Sequence, residues 1–417
     1  MSERLAVDGG TPVRSTMLDY RRGAAMIGDD ERDAVLEVLE SRSLFRYYGP
    51  DLRHKVDAFE AAVSRQLDIP YAVAVSSGTG ALIAGLAALG VGPGDEVVLP
   101  ALTFIASVNA VVVSGAVPIF CDVDPSLGID AQSLPAVITE RTAAVMPVHL
   151  ENVVCDMDSI LDVTRRAKVP VIEDACQAIG ATYCGTPAGG IGDIGCFSLQ
   201  LEKNITAGGG GILVTRHRDL FLRAARYTDQ GGQFVTAKGG TRGGELDEAF
   251  VGENLRMTEL AGAIAEVQLR RLPEIISAMR SAKSEILDRI GDRDGLTLRS
   301  TPDPDGDGSS SIVFYAPTSA IAARFVEAMI GEGIPSARLY DGQPVYTHRS
   351  LQDRRTVTPK RSPWLTHPVD VTYPPGLCPN AEDLAARSVI VAVGPGYSKV
   401  DVDDVAAAVT KVADELL

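Results

Sequence analysis

Tyr71-Ala72-Val73-Ala74-Val75-Ser76-Ser77-Gly78-Thr79-Gly80-Ala81 is the stretch that decides the fold. Its apolar opening has no polar interruption, so it reads as a strand buried on both faces. The Ser-Ser-Gly-Thr-Gly that follows is a tight turn, and it leads into an apolar helix expected over 81–89. A strand passing through a glycine turn into a helix is the half-unit of a parallel α/β sheet.

The same grammar repeats downstream. Strands are expected at 96–100, 118–123, 143–147, 170–173, 194–198 and 211–215, with helices at 105–114 and 157–167. Upstream, apolar residues at three- and four-residue steps predict helices over 29–40 and 53–67. They follow an arm, residues 1–28, in which Gly9-Gly10-Thr11-Pro12 reads as a turn. Beyond 258 the pattern changes. A long helix (258–280) leads to an α+β pattern with strands at 311–316 and 388–393 and helices at 320–332 and 400–417. Residues 340–379, rich in Pro, Arg and Thr, read as a long loop. The expected fold class is α/β: a large domain (29–257) on a mainly parallel seven-strand sheet, with a smaller α+β domain (258–417).

Composition agrees with this and narrows the function. A chain of 417 residues exceeds what one core usually supports. Its 41 glycines and 5% aromatics suit many tight strand-to-helix turns. A net charge of -16 argues against nucleic acid and against anionic membranes. The start Met1-Ser2-Glu3-Arg4 lacks a basic, apolar leader, and no window reaches the roughly twenty apolar residues of a membrane span. A cytoplasmic protein is expected. The six cysteines show no two-residue pairing of the metal-binding kind and read as reduced, mostly buried thiols.

In a sheet of this kind ligands bind at the carboxyl ends of the strands. Ser77-Gly78-Thr79, Asp174 and Ser198 all fall at such ends. Asp174 closes the apolar run Val171-Ile172-Glu173, and Ser198 opens Ser198-Leu199-Gln200-Leu201-Glu202-Lys203, which leads on to Gly208-Gly209-Gly210-Gly211. Each piece has a plainer role when taken singly: a helix cap, a strand terminus, a surface amine, a linker. Together they match what pyridoxal phosphate needs. An acid pairs with its ring nitrogen, an amine holds its aldehyde as a Schiff base, and glycine with hydroxyls at a helix start receives its phosphate.

The order of five pieces carries a resemblance. The phosphate turn is followed by Pro100-Ala101-Leu102-Thr103-Phe104, Glu173-Asp174-Ala175-Cys176-Gln177, the Ser198 to Gly211 run and Gly252-Glu253-Asn254-Leu255-Arg256-Met257. This resembles the DegT/StrS family of pyridoxal phosphate-dependent sugar and cyclitol aminotransferases, of fold type I. It extends from Leu5-Ala6-Val7-Asp8-Gly9-Gly10 to Cys378-Pro379-Asn380. The resemblance implies that Lys203 is the cofactor-bearing and proton-moving amine and that Asp174 keeps the ring nitrogen protonated. It implies further that Gln177 contacts the ring hydroxyl, Phe104 stacks on the ring, and Gly78, Thr79 and Ser198 bind phosphate. Asn254 would reach the phosphate of a partner subunit, which implies a homodimer with shared active sites.

Four departures bear on substrate: Gly209 where relatives have Glu, Ile179 where they often have His, Glu151-Asn152 where they have an aromatic and a glycine, and Tyr340 near a usual His. His149 and Tyr340 are the candidate substrate contacts. The implied reaction is a ping-pong transfer of an amino group from glutamate or glutamine to a keto-cyclitol or nucleotide-linked keto-sugar. The opening Gly-Gly-Thr-Pro-Val-Arg leans toward the cyclitol. The alternative is a dehydratase or lyase using the same cofactor. Lys203 counts against it, because dehydratase relatives tend to carry histidine there.

Overall fold

In the computed structural model, which describes residues 4–232 and 249–417, the repeated strand-turn-helix text becomes one wound sheet. Helices α1 (Asp29–Ser41) and α2 (Lys55–Leu67) come first. Strand β1 (Tyr71–Val75) then runs into α3 (Gly78–Leu89), and β2 (Glu96–Pro100) into α4 (Ile105–Val113). Next come β3 (Val117–Cys121), the single turn α5 (Leu134–Val137), β4 (Thr142–Val145), α6 (Met157–Ala167) and β5 (Ile172–Asp174). A hairpin, β6 (Thr182–Tyr183) and β7 (Thr186–Pro187), precedes β8 (Ile194–Ser198), β9 (Gly211–Thr215) and α7 (Arg218–Tyr227). Helix α3 starts at Gly78 rather than at the expected Ala81 because Ser77 caps it, its Oγ accepting the Gly80 N–H at 2.9 Å.

The strands pair in the orders β1-β9-β8-β5 and β3-β2-β4. Parallel bridges Val145–Val171 and Val148–Asp174 join β5 to the β4 side. Six strands therefore run parallel, and β9 runs antiparallel to both β1 and β8. The exception has a cause in the sequence. A parallel return needs a crossover, usually a helix, and the text between Ser198 and Gly211 has no helical period. Both sheet faces are covered, as the apolar strands require. Ala72 and Ala74 enter one core, Val73 and Val75 the other.

Helix α8 (Glu259–Ile290) runs past the expected end at 280, and Pro273 lies inside it without ending it. It leads to β10 (Thr297–Leu298), β11 (Ser311–Tyr315), α9 (Ser319–Gly331), β12 (Ser336–Ala337), α10 (Arg349–Gln352), α11 (Pro379–Arg387), β13 (Ser388–Ala392) and α12 (Lys399–Leu416). These strands form a second sheet, β10-β11-β13-β12, with every pair antiparallel. Residues 340–379, expected as a loop, instead hold short helical turns and bury Tyr346, Trp364 and Tyr373. The aromatic tips find partners: Trp364 Nε1 donates to Tyr373 OH at 3.0 Å, and Tyr373 OH to the Pro118 carbonyl at 2.9 Å.

The N-terminal arm is docked on this second layer. The buried Glu332 carboxylate accepts the Ala6 and Val13 N–H groups and the Lys411 ammonium, each at 2.9 Å. Arg14 pairs with Asp401 and Asp404. The arm then returns to the large sheet, where the Gly23 N–H reaches the Lys203 carbonyl at 3.3 Å.

Candidate active site

Four strand ends meet at one cavity of about 460 Å³. Its wall takes Ser77, Gly78 and Thr79 from beyond β1, Thr103 and Phe104 from beyond β2, Asp174 and Gln177 from β5, and Ser198 and Lys203 from β8. Seven residues singled out in the sequence are thus brought together: Gly78, Thr79, Phe104, Asp174, Gln177, Ser198 and Lys203. A larger cleft of about 620 Å³ lies beside α8 and β11. Its cations are already engaged there, Lys283 by the Asp307 carboxylate and Arg280 by the Asp307 carbonyl.

The Glu173-Asp174 pair divides by strand periodicity, since successive side chains point to opposite faces. Asp174 faces the cavity. Its Oδ2 accepts the Ser107 hydroxyl at 2.6 Å and its Oδ1 the Cys176 N–H at 3.1 Å. Glu173 faces away, fully buried, and accepts the N–H groups of Gly189, Ile191 and Gly192 at 2.6–2.8 Å. His149 goes with it. Its ring is buried between Glu173, 2.9 Å from Nε2, and the Cys155 N–H, 3.3 Å from Nδ1. The structure does not bring His149 to the cavity; both ring nitrogens are used in the core.

Lys203 lies on the connection from β8 to β9, half-buried, with its side chain in the cavity wall. The loop is pinned on both sides of it. Asn204 Nδ2 donates to the Ile179 carbonyl at 2.8 Å and to Asn152 Oδ1 at 2.6 Å. Thr206 Oγ1 donates to the Leu199 carbonyl at 3.1 Å and accepts the Gly208 N–H at 2.9 Å. Gly208, at φ 77°, then turns the chain back toward β9. Sequence reasoning missed Asn152, Asn204 and Thr206. The available signal was the clustering of amide and hydroxyl side chains next to a lysine in text without a period.

Cys176 also lines the cavity. Burial, and then the Asp174 charge, push its thiol well above the usual range. Gln177 Oε1 accepts the Glu151 N–H at 3.1 Å, which leaves its amide nitrogen to reach Tyr340 OH at 3.4 Å. Tyr340 therefore comes from the second sheet to the back of the wall, not into it. It sits at φ 47°, a strained angle for a bulky residue, and burial raises its phenol pKa. Asn254 is exposed, pairs through its backbone with Asp229, and is not among the residues lining this cavity. Of the departing positions, Ile179 is core, Gly209 is on the cavity wall, and the Glu151 carboxylate stands 4.0 Å from Arg22.

The donor set suits a ring bearing a phosphate. The wall offers a capped helix start with the Thr79 and Ser198 hydroxyls, a carboxylate with both oxygens held as acceptors, and the Lys203 amine. Comparison with known proteins gives the family. A GDP-perosamine synthase of Caulobacter vibrioides is 40% identical over 65% of this chain and 70% of its own. An L-glutamine:2-deoxy-scyllo-inosose aminotransferase of Streptomyces lividus is 34% identical over 76% and 73%. The crystal structure of an aminotransferase from Psychrobacter cryohalolentis superposes with a TM-score of 0.81 at 28% identity, covering 96% of this chain and 99% of that one. The sequence profile of the DegT/DnrJ/EryC1/StrS aminotransferase family matches residues 25–410, and the chain belongs to that family.

Proposed function

We propose that the cavity binds pyridoxal 5'-phosphate and that the enzyme moves an amino group from glutamate or glutamine to the ketone of a cyclitol or nucleotide-linked sugar. The observation that carries this is the convergence of Lys203 and Asp174 on one cavity beside the α3 N-terminus. When bound, the cofactor supplies a carbonyl that accepts an amino group and an electron-withdrawing ring. Asp174 would accept a hydrogen bond from the ring nitrogen at its carboxylate and so keep that nitrogen protonated, and Thr79, Ser198 and the α3 N-terminus would take the phosphate. The Lys203 Nζ would hold the aldehyde end and move the proton at the substrate's amino-bearing carbon. Phe104 would cover the ring, and the Gln177 amide would contact its hydroxyl. Tyr340, whose hydroxyl stands 3.4 Å from the Gln177 amide nitrogen behind the wall, would act on the substrate through Gln177.

The substrate class is supported by relatives named for a scyllo-inosose aminotransferase reaction with L-glutamine and for GDP-perosamine synthesis. We assign the arm to 1–28, the cofactor domain to 29–257 and the small domain to 258–417. We also assign a homodimer with Asn254 crossing to the partner's site. We place it in the cytoplasm, in keeping with six unpaired cysteines; no helix among the described residues is long and apolar enough to cross a membrane.

Two measurements test the reaction. Borohydride reduction of the yellow protein should fix the cofactor to Lys203 in a peptide map, and Lys203→Ala should abolish transamination while the fold survives. Label on Lys283 or any other lysine would sink the assignment. A panel of amino donors and keto acceptors, read by mass, should then show an amine on a cyclitol or a nucleotide-linked sugar.

A further inference from the structure

Behind Asp174 stands a pair of hydroxyls to which the reaction above assigns no role. Ser107 Oγ lies 2.6 Å from Asp174 Oδ2, and Thr103 Oγ1 lies 2.6 Å from Ser107 Oγ. All three residues are buried. They come from two separate elements, β5 and the start of α4, whose Ser107 lies one turn beyond Thr103. Buried hydroxyls and carboxylates of this kind are hydrogen-bonded, and here the short distances pair them with one another.

The count of hydrogens fixes the direction. A serine hydroxyl has one hydrogen to give. Ser107 spends its hydrogen on Asp174 Oδ2. Ser107 must then accept from Thr103, whose own hydrogen goes to the 2.6 Å neighbour rather than to the Phe104 carbonyl at 3.3 Å. The other carboxylate oxygen is held by the Cys176 N–H. Both oxygens are therefore donated to from the protein side. The chain Thr103 to Ser107 to Asp174 is polarised toward the carboxylate.

We propose that Thr103 and Ser107 are positioning residues that hold Asp174 as a pure acceptor toward the ring nitrogen, so that removing either hydroxyl moves the titration of the bound cofactor. The inference rests on pyridoxal phosphate binding at this cavity. Thr103→Val keeps the shape and deletes the hydroxyl, and Thr103→Ser keeps the hydroxyl and deletes a methyl. Ser107→Ala removes the donor to Asp174 directly.

The experiment is a pH titration of the cofactor's absorbance in purified wild type and the three variants, alongside kcat, KM and thermal melting. Thr103→Val and Ser107→Ala should displace the titration by about one pH unit and lower kcat about tenfold to a hundredfold, the scale of a lost hydrogen bond to a charge. KM should change little, and Thr103→Ser should behave as wild type. Thr103→Val titrating and turning over like wild type would overturn the inference. So would Thr103→Ser being as damaged as Thr103→Val, since packing rather than the hydroxyl would then matter. A wild-type protein that takes up no pyridoxal phosphate would instead overturn the underlying cofactor reading, and this inference with it.

Discussion

A Cβ at position 78 would lie 2.7 Å from the Ser198 Cβ and 2.9 Å from the Cys176 Sγ, closer than packed atoms come. Gly78 therefore lets the first turn of α3 close against the end of β8, which sets the Thr79 and Ser198 hydroxyls at one end of the cavity. Gly78→Ala should cost about 1–3 kcal/mol by overpacking and, by pushing the helix start away from Ser198, weaken cofactor binding at least ~10-fold. Urea unfolding and fluorescence titration read the two effects, and wild-type cofactor affinity in the variant would show that the close approach is not needed. At this scale the sequence was legible at strand ends: Gly78, Asp174 and Ser198 were expected near one site with Lys203, and the structure brings all four to one cavity. Ser107 and the Asn152–Asn204 pair were not legible. Their partners lie 67 and 52 residues away, and only the winding of the sheet brings them together. His149 was misplaced for the same reason, because period-two alternation fixes the face of Glu173 but not which side chain will reach it.

Helices α1 and α8 are tied to the lysine loop by one carboxylate. Glu31 Oε2 accepts the Gly28 N–H at 2.8 Å, closing the start of α1. Its Oε1 accepts from Arg271 at 2.9 Å and from the Gln268 amide at 2.8 Å. The Gln268 oxygen in turn accepts the Thr206 N–H at 3.3 Å. Burial alone would raise the Glu31 pKa, but Arg271, the Gly28 N–H and Gln268 outweigh it and lower the pKa from 4.5 to about 2. A carboxyl depressed by folding stabilises the protein above its unfolded pKa and loses that contribution as pH falls through its folded one. Glu31→Gln should thus cost about 2–3 kcal/mol near neutral pH, and the gap from wild type should narrow between pH 4.5 and about 2. Urea unfolding across that window checks it, and a gap independent of pH would assign the loss to packing. The elements themselves were largely readable from periodicity. The ordered 340–379 segment was not, since aromatic burial there depends on an edge strand far away in the chain.

On the scale of the whole molecule, the docked arm ends against the lysine loop, and much apolar surface stays uncovered in the single chain. Tyr48 is 64% exposed, Val251 96%, and Phe104, on the wall of the cavity, 58%. The proposed partner subunit would cover such residues, and a closed two-fold dimer is the commonest soluble assembly. Asn254 fits the proposed crossing because it lies off its own cavity, exposed, just ahead of α8. The competing role, a local cap for α8, is already filled: Thr258 Oγ1 accepts the Ala261 N–H at 3.3 Å. Asn254→Ala should then lower activity about tenfold to a hundredfold, as for a lost hydrogen bond to a phosphate, and Lys203→Ala should abolish it. In a dimer made of one subunit of each, both lesions fall on the same site and the other site is intact. Subunit exchange between the two variants should therefore restore about half the wild-type activity per dimer, because a two-fold assembly has two equivalent sites. Heterodimer confirmed by mass, with activity no higher than that of Asn254→Ala alone, would rule out the shared site.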